Sequence, residues 1–160
     1  MAPDQAPSAE AAGSSNDVRI VLADDHLIVR AGLQVLLDAE PGFEVVAQVG
    51  DVRSVLRCVR DHHPDVLVLD LNMPGGSALD AIPEIRIDAP ETQIVILTMR
   101  DEPGFVHEAR RAGARGYVLK EQATGDLIEA IRAVAEGKTY VSRALAGRLS
   151  AERIRRGGWD

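Results

Sequence analysis

Apolar residues recur along the chain in five short runs, and each run is rich in Val, Ile and Leu. Such runs, bounded by polar or turn-forming residues, are typical of strands that are buried on both faces of a parallel sheet. They predict five strands, at residues 18–25, 43–49, 65–71, 93–99 and 114–120.

A different periodicity fills the intervals between these runs. Apolar residues recur there three or four positions apart, which predicts one amphipathic helix after each strand. Asp51 and Ser77 stand where a side chain caps the start of the second and third helices. Pro83 falls inside the third helical pattern, and because proline has no N–H to donate, we expect a late start or a kink there. Gly137 ends the fifth pattern.

The strict alternation of strand and helix predicts an α/β fold with a doubly wound parallel sheet. In the flavodoxin-like strand order 2-1-3-4-5, strands one and three are neighbours, and ligands bind at the carboxyl ends of the strands. Beyond the fifth helix, Leu145 and Leu149 predict an amphipathic linker helix among the arginines of the tail. The expected architecture is five parallel strands, five helices and this C-terminal linker helix.

Composition narrows the function classes. The 160 residues are 46% hydrophobic but only 3% aromatic, which indicates one aliphatic core, and the net charge of −7 argues against nucleic-acid binding by the chain as a whole. A single cysteine, Cys58, excludes an internal disulfide and a cysteine-based zinc site. No apolar run approaches the roughly 20 residues that a membrane-spanning helix needs, so we expect a cytoplasmic protein. No role is assigned to the four histidines, which are His26, His62, His63 and His107.

Residues whose side chains can bind metal ions or take part in reactions stand at the predicted strand ends. Strand one ends in Asp24 and Asp25, strand three in Asp70, strand four in Thr98 and strand five in Lys120. Three carboxylates that converge repel one another unless a cation joins them, and oxygen ligands favour Mg²⁺, with Mn²⁺ as an alternative. A carboxylate beside a divalent cation and an ammonium group is suited to accept a phosphoryl group.

The segments LADDH, LDLNMPGG, LTM and GYVLK resemble the motifs of response-regulator receiver domains, and the resemblance covers about residues 18–137. It implies that Asp70 is the phosphoacceptor. It also implies that Asp25 and Asp70 bind Mg²⁺ directly. Asp24 would bind the ion through water, and Asn72 through its backbone carbonyl.

The same resemblance implies roles in the phosphorylated state. Thr98 and Lys120 would bind phosphate oxygens once Asp70 is modified, and Tyr117 matches the switch aromatic of the family. The implied phosphodonor is a histidine kinase. The implied function is a signalling switch that catalyses only its own phosphorylation and dephosphorylation, rather than an enzyme with a separate substrate.

The segments LADDH, LTMRDEPGFV and ARGYVLKEQATGDLIEAIRAVAEGKTYVS are most similar to those of NarL/FixJ-type transcription regulators, which carry a C-terminal LuxR-type helix-turn-helix of roughly 60 residues. Only 20 residues follow Tyr140 here. We therefore expect a disordered leader (1–16), a receiver domain (17–137) and a linker or tail (138–160). Phosphorylation would then drive homodimerisation through helices one and five, and DNA would be bound only through a domain absent from this chain. A stand-alone receiver that acts by protein contacts alone is the alternative.

Two other function classes fit the residues less well. A phosphatase of the haloacid-dehalogenase type also uses a strand-end Asp and Mg²⁺, but it needs a second Asp two residues later as general acid, where this chain has Asn72. A nucleotide- or flavin-binding module needs a Gly-rich or Ser/Thr-rich phosphate loop after strand one. The acidic pair Asp24-Asp25 stands there instead.

Overall fold

The computed structural model describes residues 17–155, and the predicted leader lies outside them. A single parallel sheet of six strands, in the order β2-β1-β3-β4-β5-β6, forms the middle layer. Its strands are β1 (Val18–Ala23), β2 (Phe43–Val49), β3 (Val66–Asp70), β4 (Gln93–Thr98), β5 (Gly116–Leu119) and β6 (Tyr140–Val141). The predicted doubly wound order of the first five strands is therefore confirmed.

Six α-helices are described between residues 17 and 155. They are α1 (Leu27–Asp38), α2 (Val52–His62), α3 (Ala78–Asp88), α4 (Pro103–Ala112), α5 (Ala123–Ala135) and α6 (Arg143–Arg155), and a short 3-10 turn (Lys120–Gln122) precedes α5. Asp51 caps α2 by accepting a hydrogen bond from the backbone N of Ser54 at 2.9 Å, as predicted. Within this stretch, no helix is long and apolar enough to cross a membrane.

The third helix tests one of the two expectations for Pro83, the late start, whereas a kink at Pro83 stays a prediction. Ser77 accepts a hydrogen bond from the backbone N of Asp80 at 3.2 Å, and α3 begins directly after this cap. The late start is therefore wrong, because the cap fixes the first turn upstream of the proline. Pro83 lies in the second turn with its ring exposed to solvent, where it deprives the Leu79 carbonyl of its usual helical donor.

Alternating side chains of the strands build one core on each face of the sheet. On one face, residues such as Leu67, Leu69 and Ile96 pack against α2, α3, α4 and the buried Leu145 of α6. On the other face, Val68 and Leu97 belong to a core completed by α1 and α5. Because both faces are covered, the strands read as continuous apolar runs, and the carboxyl edge of the sheet is left for polar side chains.

The sixth strand corrects the predicted strand number. Tyr140 donates its backbone N–H to the carbonyl of Arg115, and Ser142 donates to the carbonyl of Tyr117, both at 3.0 Å. These bonds add β6 in parallel to the edge of β5. Two residues are too few to produce a recognisable alternation of apolar and polar positions, so the pattern assigned them to the linker.

The predicted linker helix is present as α6, and it packs against α4. Leu145 is completely buried, Leu149 packs at the edge of the same core, and Arg148 forms an ion pair with Asp101 at 3.1 Å. Residues just beyond position 137 are thus attached to the sheet through β6 and to its helical layer through α6. The boundary predicted between a receiver domain and a tail at that point stays a prediction.

Candidate functional site

The sheet topology brings the predicted acidic residues together. β1 and β3 are hydrogen-bonded neighbours with Ala23 opposite Leu69, so the residues that follow these two positions lie side by side at the carboxyl edge of the sheet. Asp24 and Asp70 are both buried, with 2% and 0% of their surfaces exposed, whereas Asp25 faces solvent. Two buried carboxylates at one sheet edge are unfavourable by themselves and require a positive partner.

Lys120 supplies that partner. Its side chain reaches across the strand ends from the 3-10 turn after β5, and Nζ lies 3.0 Å from Asp70 Oδ2 and 3.3 Å from Asp24 Oδ2. The first contact is a hydrogen bond. The second is close enough for an ion pair but is not aligned as a hydrogen bond, so among the described residues Asp24 Oδ2 is a buried oxygen without a hydrogen-bond partner.

The proton affinities of this pair reflect burial and mutual attraction. Burial raises the pKa of Asp70 above its ordinary value, even though the backbone N–H of Asn72 and the Lys120 ammonium act in the opposite direction. For Lys120, burial acts to lower the pKa, but hydrogen bonding to Asp70 and the charges of Asp70 and Asp24 outweigh it and raise the pKa overall. The ammonium is therefore favoured at Lys120, whereas burial disfavours the ionised form of Asp70, and a second cation would reduce that cost.

The donor set fits a divalent cation. One ligand atom from each of Asp24, Asp25, His26 and Asp70 lies within 4.8 Å of the other three. Lys120 neutralises only part of the charge of three carboxylates, and the buried Oδ2 of Asp24 lacks a hydrogen-bond donor within residues 17–155. Oxygen donors in this number are the ligands that Mg²⁺ and Mn²⁺ prefer.

Asn72 lies beside this cluster because the chain turns immediately after β3. Its backbone N donates to Asp70 Oδ1 at 3.0 Å, which fixes one oxygen of that carboxylate. The contact places the residue at the site. The role expected for its backbone carbonyl as a metal ligand stays a prediction.

Thr98 and Tyr117 meet at the backbone of Arg100. Thr98 ends β4, is fully buried, and accepts a hydrogen bond from the backbone N of Arg100 at 3.1 Å through Oγ1. Tyr117 lies in β5, is 3% exposed, and donates its hydroxyl to the carbonyl of Arg100 at 3.4 Å. Burial, with Glu102 nearby, raises the pKa of Tyr117 to about 12. Both predicted switch residues therefore hold the same residue of the loop between β4 and α4.

Two residues at the site had no role in the sequence analysis. The imidazole of His26 lies close to both Asp24 and Asp25, and its position directly after the acidic pair was the only sequence signal. Ser142 is fully buried, and its Oγ accepts a hydrogen bond from the backbone N of Leu119, the residue before Lys120, at 3.1 Å. No pattern pointed to Ser142, because its contact depends on the unpredicted strand β6.

Comparisons with known proteins identify this arrangement. The family model of the response regulator receiver domain matches residues 20–132. Among curated relatives, the oxygen regulatory protein NreC of Staphylococcus epidermidis is 41% identical over 144 residues, which are 89% of this chain and 66% of NreC. The chain thus spans slightly less than two thirds of the length of that relative.

Solved structures of response regulators also resemble this chain. A two-component response regulator of the LuxR family from Aurantimonas sp. SI85-9A1 matches with a TM-score of 0.83 at 37% identity, covering 86% of this chain and 99% of that one. The isolated receiver domain of RcsB from Salmonella enterica serovar Typhimurium, solved with the phosphomimetic BeF3−, matches at 0.77 and 30% identity, covering 84% and 99%. RcsB dimers bound to two parallel DNAs match at 0.78 and 29% identity, covering 84% of this chain and 69% of that one.

These findings also favour a signalling protein of a two-component system over a classical enzyme. The matches to NreC and to LuxR-family regulators agree with the geometry of the site. That geometry consists of the strand-end carboxylates and the adjacent lysine. The chain belongs to the response-regulator receiver domains, and it is of the type found in NarL/LuxR transcription regulators.

Proposed function

We propose that the protein is a phosphorylation-dependent switch in which Asp70 accepts a phosphoryl group from a phosphohistidine of a histidine kinase. The observation that carries this proposal is the environment of Asp70, a fully buried carboxylate hydrogen-bonded to Lys120 within a cluster of acidic ligands. In the transfer, the P–N bond of the phosphohistidine breaks and a P–O bond to Asp70 forms, which regenerates the imidazole of the kinase.

Each residue of the site has a part in this transfer. The Asn72 N–H holds Asp70 Oδ1, and Lys120 holds Oδ2 while offering a positive charge to the incoming phosphoryl group. We assign direct binding of Mg²⁺ to Asp25 and Asp70, with Mn²⁺ as a substitute. Asp24 would bind the ion through water, and Asn72 would bind it through its backbone carbonyl. When bound, the cation neutralises charge on the transferring phosphoryl oxygens.

Phosphorylation then changes the loop between β4 and α4. The phosphoryl group brings further negative charge and new acceptor oxygens to Asp70. Thr98 turns its hydroxyl to one of these oxygens and gives up its hydrogen bond to the Arg100 N–H, while Lys120 binds another. Because Tyr117 donates to the carbonyl of the same Arg100, the rearrangement reaches β5 and shifts a two-state equilibrium of this surface.

The output proposed for the whole protein is control of transcription through a C-terminal DNA-binding domain, with homodimerisation on phosphorylation. RcsB has been observed as dimers bound to DNA, and NreC is longer than this chain. Helices α1 and α5 are proposed as the dimer surface. The exposed apolar residues of α1, which include Leu27, Ile28 and Val35 at 72%, 88% and 70% exposure, support this choice. A receiver that acts by protein contacts alone is the alternative output, and a cytoplasmic location stays a prediction.

The test measures the mass of the chain and its oligomeric state. The 160-residue chain is incubated with Mg²⁺ and a small-molecule phosphodonor, then analysed by intact mass spectrometry and light scattering. We expect one added phosphoryl group and a shift from monomer to dimer. Asp70→Asn should abolish both, whereas Asp80→Asn, a matched change at an exposed position on α3, should abolish neither. Persistent phosphorylation of Asp70→Asn contradicts the assignment. Phosphorylation without dimerisation moves the output to a partner or to another domain.

A further inference from the structure

His26 brings an imidazole to a cluster that otherwise offers oxygen donors. Its Nδ1 lies 3.4 Å from Asp24 Oδ1 and 3.3 Å from Asp25 Oδ1. We propose that His26 is a further ligand of the cation site, and that it gives this receiver a marked preference for transition-metal ions such as Co²⁺ over Mg²⁺. This inference rests on the proposed metal site and adds to it a ligand of different chemistry.

The span of the potential ligand atoms is close to that of ligands around one ion. The four potential ligand atoms all lie within 4.8 Å of one another. In an octahedral complex with bonds of roughly 2.1 Å, neighbouring ligands are about 3 Å apart and opposite ligands about 4.2 Å. Asp25, His26 and Asp70 can take three such positions with little adjustment, and Asp24 lies within the same span, where a water can link it to the ion. Independently, the buried Asp24 Oδ2 has no hydrogen-bond donor among the described residues, and the charge beside it is the Lys120 ammonium at 3.3 Å. This oxygen can therefore still accept a hydrogen bond from a water on the cation.

The local backbone leaves the imidazole free for this role. His26 is the N-cap residue of α1, with φ −90° and ψ 108°, and within the described part of the chain its side chain makes no capping hydrogen bond. Its backbone N donates to Asp24 Oδ1 at 2.8 Å, which fixes where the side chain begins. The side chain is 61% exposed, so it can turn toward an ion without losing core contacts.

The imidazole of His26 determines which metal ion the site prefers. Mg²⁺ prefers oxygen ligands and retains water, so it gains little from an imidazole. Co²⁺ binds imidazole well and exceeds Mn²⁺ in its general affinity for nitrogen and oxygen sites. A carboxylate cluster alone would discriminate weakly between these ions, whereas the same cluster with His26 favours Co²⁺.

The test compares two cations on matched variants by isothermal titration calorimetry. The full chain is titrated with Co²⁺ and separately with Mg²⁺, in the absence of any phosphodonor. His26→Asn removes the imidazole but supplies a preferred N-cap residue, so α1 is not weakened. His107→Asn removes an imidazole that lies on α4, outside the cluster.

We expect His26→Asn to weaken Co²⁺ binding by at least the roughly 10-fold that even the outer-shell partners of metal sites contribute. The same variant should change the affinity for Mg²⁺ less than about twofold, because Mg²⁺ gains little from the imidazole. His107→Asn should leave the affinity for both ions unchanged.

Two outcomes overturn the proposal. Equal effects of His26→Asn on both ions show that the imidazole does not select between them, and an unchanged affinity for Co²⁺ shows that it is not a ligand. Either result leaves the proposed phosphoacceptor site intact as long as Mg²⁺ binds the unaltered chain. Failure of Mg²⁺ to bind that chain would instead refute the metal part of the proposed function.

Discussion

Replacing Lys120 by methionine should destabilise the protein in a way that depends on cations and on pH. Methionine is unbranched and apolar, and it keeps most of the length of the lysine stem while removing the ammonium group. Only 13% of the Lys120 side chain is exposed, so solvent cannot take over its role. The substitution leaves Asp24 and Asp70 buried beside each other without the cation that joins them.

The distances from Lys120 to the two carboxylates set the expected loss of stability. With an effective dielectric constant of about 20, unit charges at the two Lys120 separations, 3.0 and 3.3 Å, attract by about 5.5 and 5 kcal/mol. Desolvation of the three groups offsets a large part of this attraction. Removing one partner of a buried ion pair costs about 3–5 kcal/mol of stability after both effects, and we expect Lys120→Met to fall in that range.

The pH dependence follows from Asp70, whose pKa already lies above its ordinary value of 3.8 in the folded chain. Without the ammonium, the pKa of Asp70 rises further. The folded variant then binds a proton that the unfolded chain releases, so its stability falls as pH rises between 3.8 and the new, higher pKa. The deficit of the variant should therefore be largest at neutral pH and shrink at acidic pH, where the buried carboxyl is protonated.

The assay is urea denaturation at neutral and acidic pH, with and without saturating Mg²⁺. Lys138→Met is the matched control. Among the described residues, Lys138 pairs only with Glu136, in an exposed contact of 3.2 Å, so this substitution should change the free energy of unfolding by no more than about 0.5 kcal/mol. Mg²⁺ should recover more stability in Lys120→Met than in the control. Equal losses in the two variants, or equal recovery by Mg²⁺, would refute the reasoning.

Two further predictions concern β5, which leads to the site lysine, and its neighbour β6. Ser142→Ala removes the hydroxyl that accepts the buried N–H of Leu119, so the free energy of unfolding in urea should fall by about 1–3 kcal/mol, and a loss below about 0.5 kcal/mol would contradict this contact. Burial raises the pKa of Tyr117 to about 12, and burial with Asp126 nearby does the same for Tyr140. Because the unfolded chain ionises first, stability should fall as pH rises from about 10 to about 12, and phenolate absorbance should show no step near pH 10 while the chain is folded.

The sequence was sufficient to predict the parts of the site that strand ends control. Asp24 and Asp70 follow apolar runs whose adjacency is set by the strand order, and Lys120 follows a third run, so their convergence was predictable from topology alone. The caps at Asp51 and Ser77 were predictable for a similar reason, since their effect is confined to one helical turn.

Features that depend on backbone geometry between elements were not predictable. The approach of His26 to Asp25 depends on how the chain turns from β1 into α1, and no periodicity encodes that turn. Ser142 acquires its buried partner only because β6 pairs with β5, which is a contact between segments distant in sequence. Apolar patterns report which face of an element is buried, but they contain no information on an isolated polar contact of this kind.

The position of β6 affects which parts of the protein would respond to phosphorylation of Asp70. If Thr98 turns toward a phosphoryl group, as proposed, the loop that contains Arg100 loses one of the hydrogen bonds that hold it, and Tyr117 bonds to the same residue. Tyr117 accepts the backbone N–H of Ser142 through its carbonyl, and Asp101 of the loop pairs with Arg148 on α6. A continuous set of contacts therefore runs from the carboxyl edge of the sheet to the helix at the C-terminal side of the described chain. If these contacts couple the two regions, substitution of Arg148 should change the response of this loop to phosphorylation.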